Sequence, residues 1–143
     1  MGITIKSKNC SIDLGYGGFM VLRTTVAKLT APDIYEHYKD LEKGIMLFDT
    51  EKRKAFFNDY DAKIQQLSEK YHGEKDGILD FLYASDCSGE MDLEHCKSIY
   101  EIIKDYDDDI CYGYCGRPDC AMFKDFKLVV KDCIDNNCSM EWF

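Results

Sequence analysis

Ile3-Thr4-Ile5-Lys6 and Ser11-Ile12-Asp13-Leu14 alternate apolar and polar residues, the period of a strand with one buried face, and the polar Lys8-Asn9 pair separates them. Two short strands are predicted. Gly15-Tyr16-Gly17-Gly18 breaks the alternation as a turn, and Phe19, Leu22, Val26 and Leu29 follow at helical spacing. Thr30 is placed to cap a further helix, with Pro32 in its first turn, Asp33 three residues on, Ile34, Tyr38 and Leu41 along one face, and Gly44 at its end. The longest helix is expected after Asp49 or Thr50, where Phe56, Phe57, Tyr60, Ile64, Leu67 and Tyr71 make a continuous apolar stripe up to Gly73.

Asp76 begins a shorter helix bearing Ile78, Leu79, Phe81 and Leu82. After a polar loop, Asp92 caps another bearing Cys96, Ile99, Tyr100 and Ile103, so the pair forms a helix-loop-helix. Residues 105–121, charged at first and then rich in Cys, Gly and Tyr, read as an irregular insert. Helical spacing resumes at Phe123, Phe126, Val130 and Cys133 until Asn136-Asn137 stops it. A final strand within Cys138 to Phe143, paired with the N-terminal strands, would bury Trp142. The expected fold is therefore α+β: a helix-rich single domain over residues 1–143 with a small antiparallel sheet made by the N-terminal strands and the C-terminal strand. The chain shows no internal repeat, low-complexity tract or linker-like shift of composition.

Composition supports one packed core. Of 143 residues, 45% are hydrophobic and 13% aromatic, and a chain of this length buries about two thirds of its unfolded surface. Charge narrows the partners: 27 acidic residues against 18 basic ones leave −9, which repels nucleic-acid phosphates and anionic lipids. Such a surface can instead mimic nucleic acid in a partner's basic groove. Nothing in the chain approaches the roughly 18 consecutive apolar residues of a membrane span, and Met1 to Asn9 lacks the apolar stretch of a secretory signal. The expectation is a cytoplasmic protein whose eight cysteines are thiols or metal ligands, not disulfides.

Candidate chemistry clusters in three places. Tyr16, Gly17 and Gly18 open a helix that carries Arg23, and together they offer backbone N–H groups and a guanidinium to a phosphate or carboxylate. The segment lacks both a P-loop Lys-Ser/Thr and the spacing of a dinucleotide fingerprint, and Arg23 paired with a carboxylate is the plain structural alternative. The stretch from Ala84 to His95 has the layout of an EF-hand loop, with Gly89 at the sharp turn and Met91 at the buried position. Ala84 and His95 occupy its first and twelfth places, which removes two of the strongest oxygen ligands for calcium. Ser85, Asp86 and Gly89 therefore read as a second recognition loop, or simply as a turn in which Asp86 and Ser88 bond their own backbone and Gly89 supplies a conformation other residues resist.

The third cluster is Cys111-x3-Cys115-x4-Cys120, near the spacing of structural zinc sites, with a fourth ligand to come by folding from Cys87, Cys96, Cys133, Cys138, His72 or His95. The paired CxxC of strong zinc motifs is absent, so zinc stands against ordinary buried thiols. For nucleophilic catalysis, Cys87 with His95 across the loop is the candidate pair. His95 and Cys96, adjacent on a helix, point about 100° apart, and no orienting group or oxyanion donors are evident.

The stretch Ile78-Leu79-Asp80-Phe81-Leu82-Tyr83-Ala84-Ser85-Asp86-Cys87-Ser88-Gly89-Glu90-Met91 resembles an uncharacterised family of small bacterial and phage proteins. These carry a Phe-x-Ser-Asp-Cys-x-Gly-x-Ile type segment before a capped helix, then a late aromatic helix and a short closing strand. Gly17-Gly18-Phe19 to Arg23 is similar to the family's opening, and the likeness spans about half the chain. It implies no established activity, and the Cys111 to Cys120 insert has no counterpart in it. What it implies is a setting among phage and mobile-element genes, where host-defence inhibitors and small-molecule sponges occur. The expectation is a non-enzymatic binding protein, open to homo-oligomer formation, that sequesters a small anionic, nucleotide-like ligand or a host protein through Tyr16, Gly17, Gly18, Arg23, Ser85, Asp86 and Gly89. A zinc-stabilised interaction module on Cys111, Cys115 and Cys120 is the alternative, and a cysteine-dependent enzyme the third.

Overall fold

The structure is a computed structural model that describes residues 2–106 and 123–143, with Tyr16 described by its backbone alone. Strands β1 (Gly2–Lys6) and β2 (Ser11–Gly15) form an antiparallel hairpin with Ile3 opposite Leu14 and Ile5 opposite Ile12. At the other edge of β1, Ile5 faces Trp142 of the C-terminal strand β4 (Met140–Trp142), and β4 in turn pairs with β3 (Gly89–Met91), which completes the order β2-β1-β4-β3. Strand alternation puts Ile3, Ile5, Leu14, Met91, Met140 and Trp142 on the buried face, while Lys6, Asp13, Glu90 and Glu141 face solvent. The fold is α+β, helix-rich, with the N- and C-terminal strands side by side in one antiparallel sheet.

The helices are α1 (Tyr16–Thr30), α2 (Pro32–Lys39), α3 (Leu41–Ile45), α4 (Thr50–Lys70), α5 (Asp76–Tyr83), α6 (Leu93–Ile103) and α7 (Phe123–Asp135). α1 packs against α2, α5 and α6, and α7 against α6 and the sheet. Between them lies an aromatic core in which Phe81 meets Trp142 edge-on at 5.7 Å and stacks on Phe126 at 5.9 Å. Asp132 of α7 accepts hydrogen bonds from the Ser7 hydroxyl (2.5 Å) and the Asn9 backbone (2.7 Å), which ties the β1–β2 turn to the last helix.

Four local features depart from the pattern of the sequence. Thr30 is the last residue of α1, its hydroxyl donating back to the Val26 carbonyl at 2.7 Å, and extended Ala31 rather than Thr30 caps α2. The single helix expected up to Gly44 breaks at Asp40, and α3 runs through Gly44, where a Cβ would come within 2.3 Å of the Phe56 ring. Of the long stripe on α4, only Tyr60 and Leu67 are buried. The polar loop before α6 contains strand β3, and Gly89 sits in it with an ordinary φ; among the described glycines Gly73 is the one with a positive φ, at 82°. The caps follow the sequence more closely: Asp49 accepts from the Lys52 backbone and Asp92 from the His95 backbone, each at 3.0 Å, and Asn137 with φ 51° follows the end of α7. No described helix is long and apolar enough to cross a membrane.

Candidate ligand-binding cavity

A cavity of about 550 Å³ lies where α4 passes over α1 and the end of α5. Its size is that of a small-molecule site. The half-covered stripe of α4 borders it: Phe57 and Ile64 are partly buried and line this space. Opposite them stand Phe19 and Arg23 of α1, Tyr38 of α2, and the stretch from Leu82 to Asp86.

Arg23 is only 4% exposed. Its Nη1 donates to the Ala84 carbonyl at 3.0 Å and its Nη2 to the Ser85 carbonyl at 3.1 Å, while its Nε has no partner among the described residues. The guanidinium lies 4.3 Å from the centre of the Phe19 ring and 5.5 Å from those of Phe81 and Trp142, a cation held against three aromatic faces. Trp142 Nε1 donates to the same Ser85 carbonyl at 2.9 Å. Burial lowers the Arg23 pKa from its usual range, with Tyr38 and Asp86 acting in the opposite sense, but a guanidinium stays charged at any physiological pH. Among the described residues Arg23 makes no salt bridge, so its charge is taken out of water without a counter-ion from them in direct contact, which is costly.

The second polar group is a set of phenols. His37 Nε2 lies 3.1 Å from the Tyr60 carbonyl, which only accepts, so Nε2 carries the proton and Nδ1 is bare. Nδ1 then accepts from the Tyr83 hydroxyl at 2.7 Å. Burial lowers the His37 pKa, in keeping with this neutral tautomer. The His37 ring stacks on Tyr60 at 4.0 Å and fixes that phenol, whose buried hydroxyl has no hydrogen-bond partner among the described residues. Burial likewise pushes the phenols of Tyr38, Tyr60 and Tyr83 up, so all three are neutral.

Of the residues picked out by sequence, Gly17, Arg23, Ser85 and Asp86 line this cavity together. Gly18 lies in the first turn of α1 outside the lining, and Tyr16 begins that helix. Gly89 is elsewhere: it lies against the Trp142 ring, and a Cβ there would come within 2.0 Å of Cζ2. The sequence pattern missed Asp61, and it missed Tyr38, Tyr60 and Tyr83 because aromatic residues at helical spacing read as core. Their hydroxyls on otherwise apolar stripes were the available signal.

Cys111, Cys115 and Cys120 lie outside the described residues. Among the described residues, no group of three or more His, Cys, Asp or Glu side chains is arranged to hold a metal ion. Cys87 and His95 do not form a nucleophile–base pair. The exposed Cys87 thiol donates to Asp86 at 3.4 Å, and that hydrogen bond and negative charge push its pKa up, the reverse of activation. Both nitrogens of His95 are engaged, Nδ1 by Asp92 at 2.6 Å and Nε2 by Asp80 at 2.7 Å.

No protein-family model, curated protein or solved structure matches the chain.

Proposed function

We propose that the protein is a non-enzymatic binding protein that sequesters a small molecule bearing an anionic group in the cavity beneath α4. One observation carries this reading. Among the described residues, the buried side-chain polar atoms without a partner are Arg23 Nε and Tyr60 Oη, and both residues line this cavity. A buried donor left unpaired costs roughly 1–3 kcal/mol, so two of them in the wall of one cavity favour a shift of that wall in which a ligand supplies the acceptors. The aromatic lining suits a planar body and the guanidinium suits an anionic group on it. The resemblance of Ile78 to Met91 to small phage proteins fits a sponge of this kind.

Native mass spectrometry of gently purified protein, followed by calorimetric titration of the co-purified molecule, tests the reading. The expected spectrum contains a small-molecule adduct that is lost on mild activation. Tyr60→Phe is expected to weaken binding roughly three- to tenfold, the loss of one hydrogen bond, while thermal melting of the ligand-free protein stays level or rises because an unsatisfied buried hydroxyl has gone. Equal affinity in the variant and the parent would remove Tyr60 from the site.

A further inference from the structure

The cavity carries a charge pattern that a simple anion does not match. Its charged lining residues are Arg23, Asp61 and Asp86, one cation and two carboxylates. Arg23 is buried, whereas Asp61 and Asp86 are exposed to solvent. Neither carboxylate forms a salt bridge among the described residues; Asp86 accepts only the weak Cys87 thiol. A phosphate dianion placed at Arg23 would face two fixed negative charges with a single positive one to hold it.

The opposite charges are also neighbours. Arg23 of α1 donates through Nη2 to the carbonyl of Ser85, and Asp86 is the next residue, so the group that attracts an anion is bonded to the loop that carries the group that attracts a cation. An α-amino acid has the same disposition, a carboxylate and an ammonium on one carbon. Beyond that polar corner the lining is aromatic and aliphatic, with Phe57, Tyr60 and Ile64 from α4 opposite Phe19 from α1.

We propose that the ligand is amphoteric, a free aromatic amino acid or a close analogue, with its carboxylate at Arg23, its ammonium at Asp86 and its ring among Phe19, Phe57 and Tyr60. The inference rests on the cavity being a ligand site, as argued above. Asp61 keeps the lining negative, which disfavours phosphorylated molecules and draws in the ammonium end.

Calorimetric titration of the intact protein with four probes tests it: L-phenylalanine, 3-phenylpropionate, which lacks the amine, phenethylamine, which lacks the carboxylate, and adenosine monophosphate. L-phenylalanine is expected to bind at least about tenfold more tightly than any of the others, since each lacks one of the charge contacts or meets repulsion. Asp86→Asn, a change at an exposed side chain, is expected to weaken L-phenylalanine about tenfold and to leave 3-phenylpropionate as tight or tighter, because a charge that repels its carboxylate has gone. Binding of 3-phenylpropionate or adenosine monophosphate as tight as that of L-phenylalanine would overturn the amphoteric ligand and leave the cavity as a plain anion site. Failure of all four probes to bind, with no small molecule co-purifying, would overturn the binding reading itself.

Discussion

Gly89 shows how one missing atom reaches the cavity. Its backbone is unremarkable in φ, so the residue is not there for a turn; the Trp142 ring occupies the place of its Cβ, with Cζ2 only 2.0 Å from it. Trp142 in that position donates to the Ser85 carbonyl, which also accepts from Arg23, so the ring, the loop and the guanidinium are set together. Gly89→Ala is expected to lower stability by about 1–3 kcal/mol, the usual cost of forcing an extra group into a packed core. Urea unfolding measures it, and because the chain has a single Trp, the emission of Trp142 reports its displacement directly. An unchanged midpoint with unchanged emission would contradict this role. The glycine was visible in the sequence, but its reason was not, because its neighbour in space is 53 residues away along the chain.

Between elements, His95 clasps α5 to the start of α6. Carboxylates accept, so the two short contacts to Asp80 and Asp92 require both ring nitrogens to donate, which makes His95 an imidazolium. Burial opposes the charge, but the hydrogen bonds to Asp80 and Asp92 outweigh it, and the His95 pKa is raised above its ordinary value. A histidine whose pKa is higher folded than unfolded contributes stability that is complete below its unfolded pKa of about 6.5 and is lost as pH rises through the folded value. The urea midpoint of the protein is therefore expected to fall as pH increases from about 6 to about 9, and the fall is expected to be smaller in His95→Gln. The effect is modest, since Asp80 and Asp92 are largely exposed and solvent screens them. Equal slopes in the two proteins would show that the clasp does not hold in solution. Asp92 as a helix cap was legible from its place before an apolar run; the bridge back to Asp80 depends on the angle between two helices.

Across the whole molecule, burial is unevenly shared. α1, α5, α6 and α7 surround the aromatic core on the sheet, whereas α4, the longest helix at 21 residues, packs chiefly on α2 and α3 and buries only Tyr60 and Leu67. Local opening follows the density of buried contacts, so the amides of α4 are expected to exchange with solvent faster than those of α1 and α6. Filling the cavity gives Phe57, Tyr60 and Ile64 a packing partner and is expected to slow α4 while leaving α6 unchanged. Hydrogen exchange read by mass spectrometry follows each helix separately, and protection of α4 equal to that of α1 without ligand would contradict the uneven distribution. The cavity thus has one well-packed wall and one wall able to admit a ligand.

The apolar and polar periods along the chain were enough to locate the hairpin, most of the helices, their aspartate caps and the closing strand, because period and capping depend on residues within a turn or two of each other. Burial of Trp142 by pairing its strand with β1 also followed from sequence, since a large apolar ring near a chain end needs a covered edge. Only tertiary structure decided the break of the 30–44 segment into two helices, the pairing of β3 with β4, and the space under α4. An apolar stripe says which face of a helix turns inward. How closely that face meets the next element is set by side chains far along the chain, and here that distance leaves Arg23 and Tyr60 with polar atoms that none of the described residues satisfies.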